Sequence, residues 1–381
     1  MHYDVIIIGV GSMGSSAAYY LAKEGKKVLG LEQFEIVNER GSHHGQSRII
    51  RKAYFEHPDY VPLLLHAYKN WKELEQATKS KIYEETGIAY FGQEFDELIA
   101  GVQQSAALYD LDLQRLNVQE GKNKFPAFNI PSDFIVLSEP EAGFVLSEKA
   151  IQLYADEARK SGAVLHSHTE VSAWKIDNNQ VHVSSSKGDF TADKLIITAG
   201  AWTKKLVPDL MPEITVTKQT VAWVKPKKQE KFALGNFPCW LIQDPDKGPF
   251  YGFPILPKKD YGGFEALKIA HHFPGEITDA DKNDQEVNEE TVQDIRYILE
   301  KYFDEADAEI LQTSNCLYAS TRDEDFIVDL LPGFQNKVII GCGFSGHGFK
   351  FASVMGEILR DLCLHGDTTL PIHFLRLDRF D

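Results

Sequence analysis

A chain of 381 residues exceeds what one hydrophobic core usually serves, so two domains are expected. Hydrophobic residues at 43% and charged residues at 25% suit a soluble globular protein, and no apolar run is long enough to span a membrane as a helix. The net charge of −16 argues against nucleic acid or an anionic membrane as the main partner.

The chain opens with the apolar run Val5–Ile8, which is too short for a signal peptide, follows His2 and Asp4, and leads into glycines. Cys239, Cys316, Cys342 and Cys363 are widely spaced with no CxxC pair, so neither a disulfide framework nor a metal site is expected, and the cytoplasm is the expected location. Asp4-Val5-Ile6-Ile7-Ile8 reads as a buried parallel strand running straight into Gly9-Val10-Gly11-Ser12-Met13-Gly14. A helix Ser15 to Lys23 and a second strand Lys27 to Glu32 follow. In this dinucleotide fingerprint Gly9 makes the tight turn, Gly11 admits a pyrophosphate to the backbone, and Gly14 lets helix and strand pack closely. Glu32 ends the second strand where a carboxylate can accept from ribose hydroxyls. By itself the motif leaves FAD and NAD(P) open.

Further on, a helix from Glu148 to Lys160 precedes a strand from Val164, the alternating segments Val181–Ser185 and Asp189–Thr191, and a buried strand Lys194–Thr198. Residues 215–272 alternate in short β-like runs: Val216–Val224, Cys239–Gln243, Phe250–Phe253 and Ala266–His271. A polar helix, Asn288 to Tyr302, leads to a last third with three short strands and a closing helix, Gly348 to His365. The segments predict an α/β cofactor-binding domain of residues 1–85, 145–215 and 320–381, with a largely antiparallel second domain of residues 86–144 and 216–319 inserted in it.

Four segments carry a resemblance: Gly41-Ser42-His43-His44-Gly45-Gln46-Ser47-Arg48-Ile49-Ile50-Arg51; Phe250-Tyr251-Gly252-Phe253-Pro254; Asn315-Cys316-Leu317-Tyr318 with Asp323–Asp329; and Gly343-Phe344-Ser345-Gly346-His347-Gly348-Phe349-Lys350-Phe351. In order and spacing these resemble the family of monomeric sarcosine oxidase and N-methyltryptophan oxidase over essentially the whole chain. The resemblance implies a Rossmann-like FAD-binding domain (α/β, α+β overall) and a β-sheet substrate domain. It also implies covalently bound FAD and oxidation of a secondary amino acid by O2 in a monomer. For an N-methyl substrate, sarcosine foremost, the products are the primary amino acid, formaldehyde and hydrogen peroxide. Oxidation of a bulkier secondary amino acid (N-methyltryptophan, proline or pipecolate), an FAD dehydrogenase passing electrons to a carrier, and a flavin-bound module without catalysis are the competing readings.

Residue by residue, the family match implies a thioether from Cys316 to the flavin, although an isolated cysteine after a β-like run is ordinarily a small core residue. Attack needs the thiolate, and Arg48 is the matched cation beside it. Arg51 and Lys350 are matched to the substrate carboxylate, a role suited to a bidentate guanidinium and a point-charge ammonium. Tyr251, Tyr318 and His272 complete that pocket, with His272 favoured over His271, and Lys268 is matched to the cation that activates O2. Cofactor contacts extend to Ser12, Met13, Ser42, His43, His44, Val171, Gly200, Trp202, Gly343, Ser345, Gly346, Gly348 and Lys350. The departures are Gln46 for the usual Asp, Phe250 for the first Tyr of YYGFP, a Tyr261–Glu265 loop without counterpart, and Ile242 where a methionine lines the pocket in sarcosine oxidase.

Overall fold

The computed structural model describes residues 2–209, 212–273, 275–282, 287–306 and 309–380. Its first strand, His2–Ile8, carries four consecutive buried aliphatics from Val5, as interior strands of parallel sheets do. Val5 and Ile7 point to one core and Ile6 and Ile8 to another, the period-two alternation of a strand covered on both faces. Each such side chain contributes roughly 1.5–3 kcal/mol by leaving water.

His2–Ile8 pairs in parallel with Val28–Leu31 on one side and Gly188–Ile197 on the other. Val164–His166 extends the sheet in parallel beyond Val28–Leu31. The residues expected to form two segments, Asp189–Thr191 and Lys194–Thr198, are one strand, Gly188–Ile197, with different neighbours along one edge. Its carboxyl half pairs in parallel with Val338–Cys342, and its amino half pairs antiparallel with Gln180–Ser185, which continues to Val171–Asp177. Ile327–Leu330 closes this sheet against Val338–Cys342. Helices Ser12–Lys23, Ser147–Lys160 and Ala352–His365 pack together over it. At Gly14 any Cβ would run into the Gly9 carbonyl, so only glycine allows that helix to start so close to the turn.

The second large sheet runs Glu309–Ser320, Thr215–Lys225, Leu267–His271, Gly248–Phe253, Cys239–Asp244, Ile88–Gly92, Ile135–Glu139, Gln114–Leu116, with Glu276–Ile277 following Leu267–His271 along the same edge of Thr215–Lys225. All its pairings are antiparallel except that of Cys239–Asp244 with Ile88–Gly92. Helix Glu289–Tyr302, capped by the Asn288 side chain, buries Ile295, Ile298 and Tyr302 against Trp240, Phe250 and Ile269. A small sheet of Arg48–Ile50, Gly143–Val145 and Tyr83–Glu84 presents Arg48 and leads into Arg51. Helices Tyr60–Thr78 and Glu97–Tyr109 lie where no element is predicted.

Candidate active site

An elongated trough starts at the Gly9–Met13 turn and passes between the two large sheets' loops to Tyr318, Gly346 and Phe349. Its lining contains Gly9, Gly11, Ser12, Met13, Glu32, Ser42, His43, Arg48, Val171, Gly200, Trp202, Gly343, Gly346 and Gly348, all predicted cofactor contacts. Phe34 and Thr169 line it too, outside any motif, as does Phe349, which the fourth matched segment contains without a role assigned to it. Helix Ser12–Lys23 begins at Gly11 with no side-chain cap, so its first N–H groups remain available to an anion. The space beside Gly200 is open where a Cβ would stand. His43 Nε2 is buried in the trough wall without a partner among the described residues, and burial pushes the imidazole down to about 4, where it is neutral. Glu32 is predicted to face the ribose. It lines the trough, while its oxygens accept from Val10 N at 2.9 Å and Phe34 N at 3.1 Å, each keeping a lone pair. An uncapped helix start, an orphaned buried donor or acceptor and a buried carboxylate suit a dinucleotide such as FAD.

Gly14, His44, Ser345, Cys316 and Lys350 are not part of that lining. Gly14 packs the helix, and Ser345 Oγ braces its own loop by bonding Gly343 O at 3.0 Å and accepting from Thr321 N at 3.3 Å.

At its far end the trough meets a small second cavity through the shared walls Arg48, Tyr318, Gly346 and Phe349. Arg51, Tyr251, His272 and Lys350, all predicted substrate residues, line it. Gly346, at φ +75°, lies flat against the Tyr318 ring, which a side chain there would displace. Ile242 requires correction. In the ladder Leu241 sits opposite Tyr251 and Ile242 opposite Phe250, so strand alternation turns Ile242 into the core under helix Glu289–Tyr302 and puts Leu241 in the cavity wall. The same alternation separates the histidines. His271 stacks on Phe250 at 4.3 Å, whereas His272 faces the cavity with Nδ1 3.2 Å from the Tyr318 hydroxyl.

Charged side chains are concentrated in the cavity wall, which includes Arg48, Arg51, Glu56 and Lys350. Arg51 is 3% exposed and donates through Nη2 to both oxygens of Glu56, at 2.8 and 2.7 Å, and through Nη1 to Ala53 O at 2.9 Å. Burial would raise the Glu56 carboxyl, but Arg51, His347 and Lys350 pull it down to about 2, so it stays ionised. Lys350 Nζ donates to His347 O at 2.7 Å and stands 3.4 Å from the Tyr54 hydroxyl. Burial and the neighbouring Arg51 push it down to about 7. Burial also takes His272 down to about 3, so its imidazole is neutral. Glu56 and Tyr54 carry no signal in the sequence because nothing distinguishes a loop acid or a lone Tyr from solvated or core residues, while His347 lies inside the fourth matched segment, where the resemblance assigns it no role.

Behind the shared wall lies a basic cluster around sulfur. Cys316 Sγ is 3.5 Å from both Arg48 Nη2 and His44 Nε2. Burial raises the thiol, yet His44, Arg48 and Lys268 outweigh it and bring it down to about 7, whereas burial pushes Cys239, Cys342 and Cys363 up to about 12. Arg48 is fixed by the carbonyls of Ser42, His44 and Ser47 at 2.9, 2.6 and 2.9 Å. Lys268, 3% exposed, donates to Gly45 O at 2.6 Å, Ser47 O at 2.7 Å and Ser47 Oγ at 3.3 Å, and lines neither cavity. It stands beside Arg48 and Cys316 rather than in the open space.

Residues 4–362 match the family model of the FAD dependent oxidoreductases. The chain is 36% identical over 371 residues to a monomeric sarcosine oxidase of Streptomyces avermitilis, covering 97% of this chain and 96% of that one. It is 34% identical over 387 residues to an N-methyl-L-tryptophan oxidase of Salmonella dublin, covering 100% of both. Among solved structures, NikD, an unusual amino acid oxidase essential for nikkomycin biosynthesis, superposes with a TM-score of 0.85 at 22% identity over 98% of this chain and 97% of that one, a likeness of fold.

Proposed function

The chain belongs to the family of FAD dependent oxidoreductases that includes the monomeric sarcosine oxidases and N-methyl-L-tryptophan oxidases, and on that footing we propose that it oxidises an N-methyl amino acid, sarcosine before bulkier ones. Sarcosine, O2 and water give glycine, formaldehyde and hydrogen peroxide. The observation that carries the reading is the pair of buried cations, Arg51 and Lys350, in a small cavity that opens into the cofactor trough past Tyr318.

FAD, held along the trough by the Gly9–Met13 turn and Glu32, would supply the two-electron chemistry that links the carbon beside the amine nitrogen to O2. The protein's part is position and field. Arg51 and Lys350 hold the substrate carboxylate, for which the ligand must share or displace the Glu56 contact. His272 and Tyr318 orient the amine, and the neutral imidazole of His272 does not repel it or force it to stay protonated. Leu241, Tyr251 and Phe349 exclude water and limit the size of the N-substituent. In this reading the enzyme acts as a monomer in the cytoplasm. Among the described residues no helix is long and apolar enough to cross a membrane.

Ranking kcat/KM for sarcosine, N-methyltryptophan, L-proline and L-pipecolate by peroxide release tests the proposal. Sarcosine should lead, and no peroxide from any N-methyl substrate would sink it. Cys316 bonds covalently to FAD in the same reading, supported by its lowered thiol beside Arg48 and His44. Acid-precipitated wild type should therefore stay yellow, and Cys316→Ala should release its flavin to the supernatant. A colourless wild-type pellet would overturn the link and leave the rest standing.

A further inference from the structure

Tyr54 is fully buried, and its ring touches both cations of the small cavity: Arg51 Cζ lies 4.3 Å and Lys350 Nζ 5.1 Å from its centroid. Packing alone would ask only for an aromatic ring here, since Tyr60 packs tilted and Phe351 edge-on against it at 5.2 and 5.4 Å. The hydroxyl does something a phenylalanine could not. It lies 2.6 Å from His347 Nδ1, while His347 Nε2 is 3.1 Å from the carbonyl oxygen of Glu324. A carbonyl only accepts, so Nε2 carries the ring proton. Burial holds the ring neutral, so Nδ1 is bare and accepts from the Tyr54 hydroxyl. With its hydrogen committed, the Tyr54 oxygen turns a lone pair to Lys350 Nζ, 3.4 Å away, and the backbone carbonyl of His347 takes a second N–H at 2.7 Å. One N–H of the ammonium is left for the cavity.

We propose that Tyr54 is a positioning residue for the carboxylate site: its hydroxyl, oriented by His347, holds the Lys350 ammonium with one donor free, and its ring steadies Arg51. The inference rests on the reading that Arg51 and Lys350 receive the substrate carboxylate. The charged and titratable groups facing Lys350 are Arg51, Glu56, His347, His272 and Tyr54. Only the protonated lysine attracts a carboxylate, so binding weakens as pH rises through its titration. Loss of the Tyr54 oxygen removes an acceptor of the charged form and moves that midpoint to lower pH.

The test titrates the flavin-loaded enzyme with propionate, followed by the visible absorbance of the bound flavin, between pH 6 and 9. Tyr54→Phe, which keeps ring and volume, should weaken propionate about tenfold and bring the midpoint down. With sarcosine it should raise KM by a larger factor than it lowers kcat. Tyr60→Phe changes the same aromatic cluster, but its hydroxyl serves Phe326 N at 3.1 Å instead of a cation, and should leave both values unchanged. Equal affinity and midpoint in Tyr54→Phe and wild type, or an equal shift in Tyr60→Phe, overturns the proposal. Absence of propionate binding in wild type overturns the carboxylate reading beneath it instead.

Discussion

Lys268→Met should slow the reaction of the reduced enzyme with O2 by about 10²- to 10³-fold, the size of effect seen when one preorganised group that stabilises developing charge is removed. O2 becomes negative as it accepts the first electron, and a cation already in place stabilises it without reorganisation. In the proposed reaction Lys268 is the cation assigned to that task. Its three contacts, Gly45 O, Ser47 O and Ser47 Oγ, suit a donor and hold Nζ in one position. Methionine keeps much of the length and the contact with Phe253, whose ring centroid is 4.3 Å from Nζ, and removes the charge together with its three donated hydrogen bonds. Burial and Arg48 depress the lysine well below its usual range, so its charged fraction falls with rising pH. The O2 reaction of wild type should therefore slow as pH rises, and that of the methionine variant should be flat. Stopped-flow reoxidation at several oxygen concentrations measures both. Wild-type reoxidation by the variant, together with fast dye reduction, would transfer the weight to a dehydrogenase that uses a carrier. The position of Lys268 behind the wall, outside both cavities, makes this a real contest.

Arg51→Met should lower kcat/KM for sarcosine about 10²- to 10³-fold, the cost of taking one partner from a buried, hydrogen-bonded charge pair. Part of that loss comes from Glu56, which in the variant faces Lys350 without its guanidinium partner and repels the incoming carboxylate. The double variant Arg51→Met/Glu56→Gln should recover a share of the loss, and Glu56→Gln alone should lower KM, because it frees Arg51 from its internal carboxylate. Steady-state kinetics on the three variants separates the terms. If Glu56→Gln left KM unchanged and the double variant recovered nothing, competition for Arg51 would be ruled out.

The cofactor end was legible because its signal is local. The strand, turn, helix and Glu32 fall within a few dozen consecutive residues, and each has a steric or electrostatic reason readable without neighbours. The substrate end is assembled from distant segments. Leu241 and Ile242 differ only in which way the strand faces, and that is set by the ladder to Tyr251 and Phe250, invisible in a string of adjacent apolar residues. Glu56 reads as a surface acid until the fold buries it on Arg51. Strand Glu309–Ser320 begins with the largely exposed Glu309-Ile310-Leu311-Gln312, without a clean alternation, and is held by its long pairing with Thr215–Lys225, so its full length was not predictable from its own composition. Helix Tyr60–Thr78 has an apolar face at Tyr60, Leu63, Leu64, Ala67, Trp71 and Leu74 whose helical spacing was there to be found.

The first sheet has a consequence for biosynthesis. Val5–Ile8 meets its partner Lys194–Ile197 only after nearly two hundred further residues have been made, and that partner's other neighbour is Val338–Ile340. The trough is walled by Gly9 at one end of the chain and by Gly348 and Phe349 near the other. At about 5–20 residues per second, the ribosome finishes the second wall long after the fingerprint has emerged. The glycine turn therefore waits as an incomplete shelf until Gly348 and Phe349 have been made and folded against it.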